Sequence, residues 1–215
     1  MNILNLENIT LVCFAIPGQY RASIKAIQYS TKQINFFQSI LFTDQLQKPI
    51  FGIEQVKIPT FTNVYDWGEF VIYQLYKYIT TEFVILIHDD GFIVNANKWD
   101  SEFLNYDYIG APWPPIYKKH NEIIRVGNSV SLRSKKILEL PSLLNLDWQK
   151  AHEVNYHEDG FLCHMHSDLM KKNGIIYAPF ELACKFSREH TLPENINIDP
   201  FAFHKWRGKN SHYPC

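Results

Sequence analysis

Four groups of residues have the types and spacing to do chemistry. His88, Asp89 and Asp90 stand together directly after five apolar residues, Phe83 to Ile87, with Gly91 behind them. Two hard oxygen donors beside an imidazole suit a divalent cation that carries phosphates. Side chains alternate along extended backbone, so His88 and Asp90 project to one side and Asp89 to the other. Asp90 is the better direct ligand of the three. The competing reading is an Asp-Gly turn whose side chains only cap its own backbone. Glu158 and Asp159 open a segment of helical spacing, where the helix dipole favours acidic residues. A carboxylate kept ionised there is placed to act as a general base toward a hydroxyl. His204, within Phe203-His-Lys-Trp206, is either a metal ligand or a packed ring. Trp113 offers an indole face to a sugar ring, or else a wedge that closes a proline-rich turn. His152, His157, His164 and His166 read as surface or supporting residues, because at helical spacing His164 and His166 cannot both face one cleft.

These groups need elements to hold them. Phe83–Ile87 reads as a strand buried on both faces, the kind found inside a parallel sheet. Ile9–Ile16, Ser39–Thr43 and Gln55–Ile58 read as earlier strands, and residues 19–34 as a helix between the first two. Asp66 is expected to cap a helix running to about Tyr78, with Glu69 completing a capping-box-like pair. Strand and helix alternation within about 85 residues predicts an α/β sheet with short crossovers. A carboxylate pair at the carboxyl end of a buried strand lies where such sheets place ligands. The second half changes character. A short helix over 97–104, a strand over 107–110 and an irregular stretch Ala111-Pro-Trp-Pro-Pro115 are expected, since three prolines remove donors and fix φ. Strands at 123–126 and 130–132 flank Gly127-Asn128, and a helix from Ser134 is expected to stop at Pro141. Glu158–Lys172 is predicted as one helix burying Phe161, Leu162, Met165 and Leu169, with Gly174 at its C-cap. Ile175–Ala178 reads as a strand, and the aromatic tail 200–206 as packing back on the domain.

Composition sets the bounds. The 215 residues are 46% hydrophobic and 15% aromatic, enough for one well-packed domain. A net charge of -1 supplies no basic field for nucleic acid. The start of the chain has no basic segment followed by a long apolar one, and no apolar run is long enough to span a bilayer. Of four cysteines, Cys13 and Cys184 lie in apolar runs and are expected to be reduced core residues; no C-x-x-C spacing argues for zinc or redox chemistry. A soluble cytoplasmic protein is the simplest expectation, with peripheral membrane attachment left open.

Ile85–Asn95, the run from Trp99 through Tyr106-Asp-Tyr-Ile-Gly-Ala-Pro-Trp113, Arg125-Val-Gly-Asn128, Ser131-Leu-Arg-Ser134, Glu158-Asp159 and Pro200-Phe-x-Phe-His204 resemble the DUF5672 family. That family looks like glycosyltransferases of the GT-A fold, and the resemblance covers roughly residues 9–206. It implies one α/β, Rossmann-like domain with a mixed, mainly parallel sheet flanked by helices. A nucleotide-binding half (about 9–95) would precede an acceptor and catalytic half (about 96–206). It implies an inverting, metal-dependent transfer of a sugar from a nucleotide-sugar donor to a hydroxyl acceptor, a glycan or another alcohol. Asp90, His88 and His204 would hold Mn²⁺ or Mg²⁺, and Asp159, with Glu158 beside it, would supply the base. The donor would contact Ala15, Ile16, Thr43, Asp44, Asp89, Arg125 and Asn128, with Arg133 as the alternative to Arg125. Trp113 and Ser129 would contact substrate. His88 stands where GT-A enzymes usually carry Asp, and Ser129-Val130 replaces a glycine pair that lets backbone approach the donor sugar. Two other readings share these residues: a GT-A-like module that binds nucleotide or glycan without catalysis, and a metal-dependent phosphohydrolase or nucleotidyltransferase acting at phosphorus.

Overall fold

Runs of consecutive apolar residues become the central strands of one sheet. The computed structural model describes residues 3–115, 118–119, 122–123, 126–205, 208 and 210–213. Its elements begin with β1 (Leu4–Ala15), α1 (Tyr20–Ser30), β2 (Ile34–Thr43), β3 (Glu54–Lys57), α2 (Val64–Tyr73), β4 (Phe83–Ile87) and β5 (Tyr108–Pro112). A short pair, β6 (Lys118–Lys119) and β7 (Glu122–Ile123), leads to β8 (Val126–Ser134) and α3 (Lys135–Leu143). Helices α4 (Gln149–Glu153), α5 (Glu158–Gly160), α6 (Ser167–Lys172) and α7 (Phe180–Phe186) follow, then β9 (Ser187–Arg188) and β10 (Ala202–Phe203).

Six strands pair in the order β3-β2-β1-β4-β8-β5. β1 to β4 are mutually parallel where they pair, and β8 runs antiparallel to both β4 and β5. The sheet is mixed and mainly parallel, as predicted. On β4, Phe83, Ile85 and Ile87 enter one core cluster, while Val84 and Leu86 enter the cluster on the opposite face. β1 divides the same way, with Leu11, Cys13 and Ala15 against Val12 and Phe14. Burying each side chain of this size is worth ~1.5–3 kcal/mol. Packing therefore fixes the strand bodies and leaves their ends to carry polar groups. From β1 the chain first adds strands outward on one side, to β3, and then returns to place β4 on the other side. β1 and β4 thus flank the switch point where open α/β sheets form a crevice.

Several local expectations are corrected. The cap of α2 is Asn63, whose side chain accepts from the N–H groups of Tyr65 and Asp66 at 2.7 and 3.0 Å. Asp66 instead reaches back to the N–H and hydroxyl of Thr62, so the capping pair starts three residues early. The expected helix over 97–104 is two short 3₁₀ turns, Ala96–Lys98 and Ser101–Asn105. Pro112 does enter a strand. β5 is a sheet edge, where a missing N–H is tolerated, and the register shifts between Gly110 and Pro112. Of the strand expected over 123–126, Ile123 lies in β7, residues 124–125 lie outside the described residues, and Val126 begins β8, which runs on through the strand expected over 130–132. α3 continues through Pro141 to Leu143. Ile175–Ala178 joins β5 through a single bridge, Tyr177 beside Tyr108.

The predicted helix over 158–172 is broken. One α turn, α5, passes into a π turn over Phe161–Met165, where the His166 N–H donates to the Phe161 carbonyl at 3.1 Å. The extra residue rotates the remainder, so Met170 is buried in place of Leu169, which is exposed. Gly174 does end α6, through Schellman hydrogen bonds: Ile175 N–H to Met170 O at 3.1 Å and Gly174 N–H to Lys171 O at 2.9 Å. The tail packs back as expected. β10 lies parallel to β9, and Val94 N–H donates to Phe201 O at 3.0 Å, which brings His204 beside the end of β4.

Candidate active site

The turn after β4 and the acidic cluster are the same object. His88 and Gly91 exchange backbone hydrogen bonds of 2.7 and 3.2 Å, with Asp89 and Asp90 at the tip. Gly91 is required by close approach, because a Cβ there would lie 2.6 Å from His204 Cδ2 and 2.9 Å from its Cα. The turn replaces the strand-like alternation expected here: His204 meets both His88 and Asp90, while His88 and Asp89 border the adjoining cleft. His204 Nε2 lies 3.4 Å from Asp90 Oδ1, and its ring stacks on that of His88 with centroids 4.8 Å apart.

Glu189, which the sequence reading did not single out, organises this end. Its Oε2 meets His204 Nδ1 at 3.0 Å, its Oε1 lies 3.4 Å from His190 Nε2, and Lys205 Nζ contacts the same carboxylate. Burial disfavours the charged His204 ring, yet its bonds to Asp90 and Glu189 prevail and lift its pKa to about 9. Burial likewise opposes the Glu189 charge, but bonds from His190, His204 and Lys205 hold that carboxyl far below its usual range. His88 goes the other way. Burial first, then the His204 charge, lowers its pKa to about 3, so it is a neutral imidazole; its Nε2 is buried with no hydrogen-bond partner. In the sequence Glu189 sits within the polar run Ser187-Arg-Glu-His-Thr191, which carries no signal of this role.

Asp159 enters the same cleft from α5. Its Oδ1 accepts from the Gly160 N–H at 2.7 Å. Burial, and then the neighbouring Glu158 charge, raise its pKa to about 7, against the lowering effect of that N–H. The expectation of a carboxylate kept acidic by a helix dipole is corrected here. α5 is a single turn of three residues, and desolvation outweighs what one turn of amides supplies. Glu158 does not share the cleft. It is fully buried and binds Arg133 Nη2 at 2.8 Å. Arg133 is fully buried too, with Nε on Ser131 Oγ at 2.9 Å and its guanidinium 5.2 Å over the Tyr108 ring, so it is not a phosphate contact.

The cleft measures about 970 Å³, near the upper end of small-molecule sites. Ile16 and Pro17 after β1, His88 and Asp89 after β4, and Trp113, Asp159, Glu189 and His204 border it. Trp113 is only 5% exposed, and its ring packs so closely on Gly127 that a Cβ there would lie 2.3 Å away; it is first a wedge, with one border on the cleft. Missed aromatic walls come from Phe14, Phe61 and Trp67. Tyr156 and His164, joined by a 2.6 Å hydrogen bond, also border it. His157 and His164 face the cleft, whereas His152 and His166 pack against Tyr65 and Phe161. Among the expected donor contacts, Ile16 and Asp89 line the cleft. Ala15 is buried in the sheet, Thr43 bonds Gln45, and Asp44 accepts from Thr60 at 2.9 Å. Arg125 and the side chains of Asn128 and Ser129 lie outside the described residues.

Among the described residues no three His, Cys, Asp or Glu side chains converge as a metal cage. Asp90 Oδ1 and His204 Nε2 do face each other, and Glu189 on Nδ1 is the outer carboxylate that ligating histidines commonly carry. Once His204 gives up its Nε2 proton, two donors of this kind fit a cation completed by substrate phosphates, not an all-protein site.

A mainly parallel sheet with one antiparallel strand and an acidic turn over its switch point is a GT-A-like, Rossmann-like domain. The solved structures it resembles bear this out. A galactosyltransferase, LgtC, solved with donor and acceptor sugar analogues, matches at 12% identity over 91% of this chain and 86% of that one, TM-score 0.56. A glycosyltransferase involved in glycosylating the major capsid of PBCV-1 matches at 13% identity over 95% of both chains, also TM-score 0.56. At these identities the likeness is one of fold. Residues 51–204 match the family described as "Protein of unknown function (DUF5672)", and the chain belongs to that family. No curated protein matches it.

Proposed function

We propose that the protein is an inverting glycosyltransferase that moves a sugar from a nucleotide-sugar donor to a hydroxyl of a glycan or another alcohol. The observation that carries this reading is one large cleft bordered by Asp159, whose carboxyl pKa burial lifts to about 7, and by His204 and Glu189, with Asp90 set against His204 Nε2. A carboxyl titrating near neutrality is matched to accepting a proton from an attacking hydroxyl. The donor would lie over the ends of β1 and β4, against Ile16 and the aromatic wall of Phe14 and Trp67. Asp90 and His204 are the residues that would hold Mn²⁺ or Mg²⁺, which when bound neutralises charge developing on the leaving diphosphate. Glu189 fixes the His204 ring so that Nε2 faces Asp90. Lys205, also bordering the cleft, places an ammonium beside this group. Asp159 takes the proton of the acceptor hydroxyl as that oxygen attacks the anomeric carbon from the face opposite the leaving group. No helix among the described residues is long and apolar enough to cross a membrane.

Replacing Asp159 by Asn tests the assignment. Transfer should fall by about 10²–10⁴, the range of general-base contributions, while calorimetry finds donor affinity near that of the wild type. Near-wild-type turnover in this variant would remove Asp159 from the mechanism.

A further inference from the structure

The geometry points to Arg133 and Glu158 as positioning residues, whose buried ion pair clamps the one-turn helix α5 to strand β8 and thereby fixes where Asp159 is presented to the cleft. This rests on the reading of Asp159 as the base. α5 is short and uncapped. It spans three residues, its N-cap His157 makes no side-chain cap, and the chain passes at once into the π turn. Consecutive helical side chains point about 100° apart, so pinning Glu158 into the core turns Asp159 toward the cleft. The anchor itself is rigid. Arg133 lies near the end of β8, paired between Val84 of β4 and Tyr108 of β5. Ser131, the Tyr108 ring and Glu158 hold its guanidinium on three sides.

Stability alone is a poor reason for such a pair. Both side chains are fully buried, and Arg133 Nη1 and Glu158 Oε2 have no hydrogen-bond partner. Buried pairs of this kind are often matched or bettered by well-packed apolar residues. The charges also act on the base directly. Asp159 is faced by Glu158 beside it, Arg133 from β8 and Glu189 from the segment after β9; Tyr108 and Cys163 pack near it as neutral groups, their pKa values raised far by burial. Glu158 pushes the Asp159 pKa up and Arg133 pulls it down.

The test compares Glu158→Gln, Arg133→Met and the double variant Arg133→Met/Glu158→Leu, each checked for folding by thermal unfolding before kinetics. The double variant, with neither charge left buried alone, is expected to fold even where a single variant does not. Its kcat should fall at least tenfold while donor KM moves less than twofold. Where the singles fold, the alkaline-rising limb of the kcat profile should move to lower pH in Glu158→Gln and to higher pH in Arg133→Met, a pair of opposite shifts that a purely structural role would not produce. A double variant with wild-type kcat would overturn the inference, as would single variants that move the limb in the same direction. Asp159→Asn separates the two claims. If that variant keeps turnover, the base reading fails; if it is inactive while the double variant is fully active, only the clamp fails.

Discussion

At the scale of single residues, Asp159 and His204 make this site sensitive to pH in the same direction. A carboxyl raised from 3.8 to about 7 binds a proton more tightly folded than unfolded, so folding stability falls as pH rises from about 4 to 7 and stays down above it. His204, raised from 6.5 to about 9, supplies stability that is whole below 6.5 and is lost as pH rises through 9. Asp159→Asn should therefore stabilise the protein above pH 7, by at most about 4 kcal/mol at ~1.4 kcal/mol per pKa unit. At pH 4 the same substitution should change little. Thermal unfolding of both proteins at pH 4 and pH 8 checks this, and equal midpoints at pH 8 would mean that Asp159 is not desolvated. The wild-type kcat/KM should climb through about pH 7 and level off beyond it. Asp159, Asp90 and His204 were all legible in the sequence as chemistry-bearing residues. The raised pKa was not, because it depends on desolvation and on the short length of α5. Glu189 escaped notice because its role exists only where the tail folds back.

At the scale of elements, the loop before α2 forms one wall of the cleft, and Asn63 both caps the helix and borders that wall. Asn63→Ala should lower stability by about 1 kcal/mol, the usual worth of such a cap, readable as a shift in the denaturant midpoint. An unchanged midpoint would mean that Asp66 and Thr62 hold the helix start unaided. Strand positions were legible where apolar runs were continuous, as in Phe83–Ile87, since burial on both faces leaves a plain signature. Helix details were less so. Glu158–Lys172 has a helical pattern throughout, and nothing in that periodicity reports the π turn that rotates its second half. Pro112 sits inside a regular element because an edge strand tolerates one lost donor, whereas Pro141 enters the last turn of α3 at the cost of the hydrogen bond an N–H there would give to the Ile137 carbonyl.

At the scale of the whole molecule, the sheet order sets the chemistry's place. The first half leaves β1 and β4 adjacent, the later β8 and β5 extend the same sheet, and the tail closes over the switch point with His204. The sheet class was legible from alternating strands and helices. That the aromatic tail packs back was legible too, but its seating beside β9 and over the end of β4 was not, since that is set by contacts between segments about a hundred residues apart. The central claim is that the reaction occurs at the anomeric carbon of a nucleotide sugar bound in this cleft. The most direct measurement is mass spectrometry of the products after incubating the protein with a panel of nucleotide sugars and Mn²⁺ in ¹⁸O-labelled water, with and without glycan acceptors. The account predicts release of unlabelled nucleoside diphosphate, with the sugar joined to an acceptor hydroxyl or, without acceptor, to labelled water. Label in a phosphate, or no turnover of any donor, would contradict it.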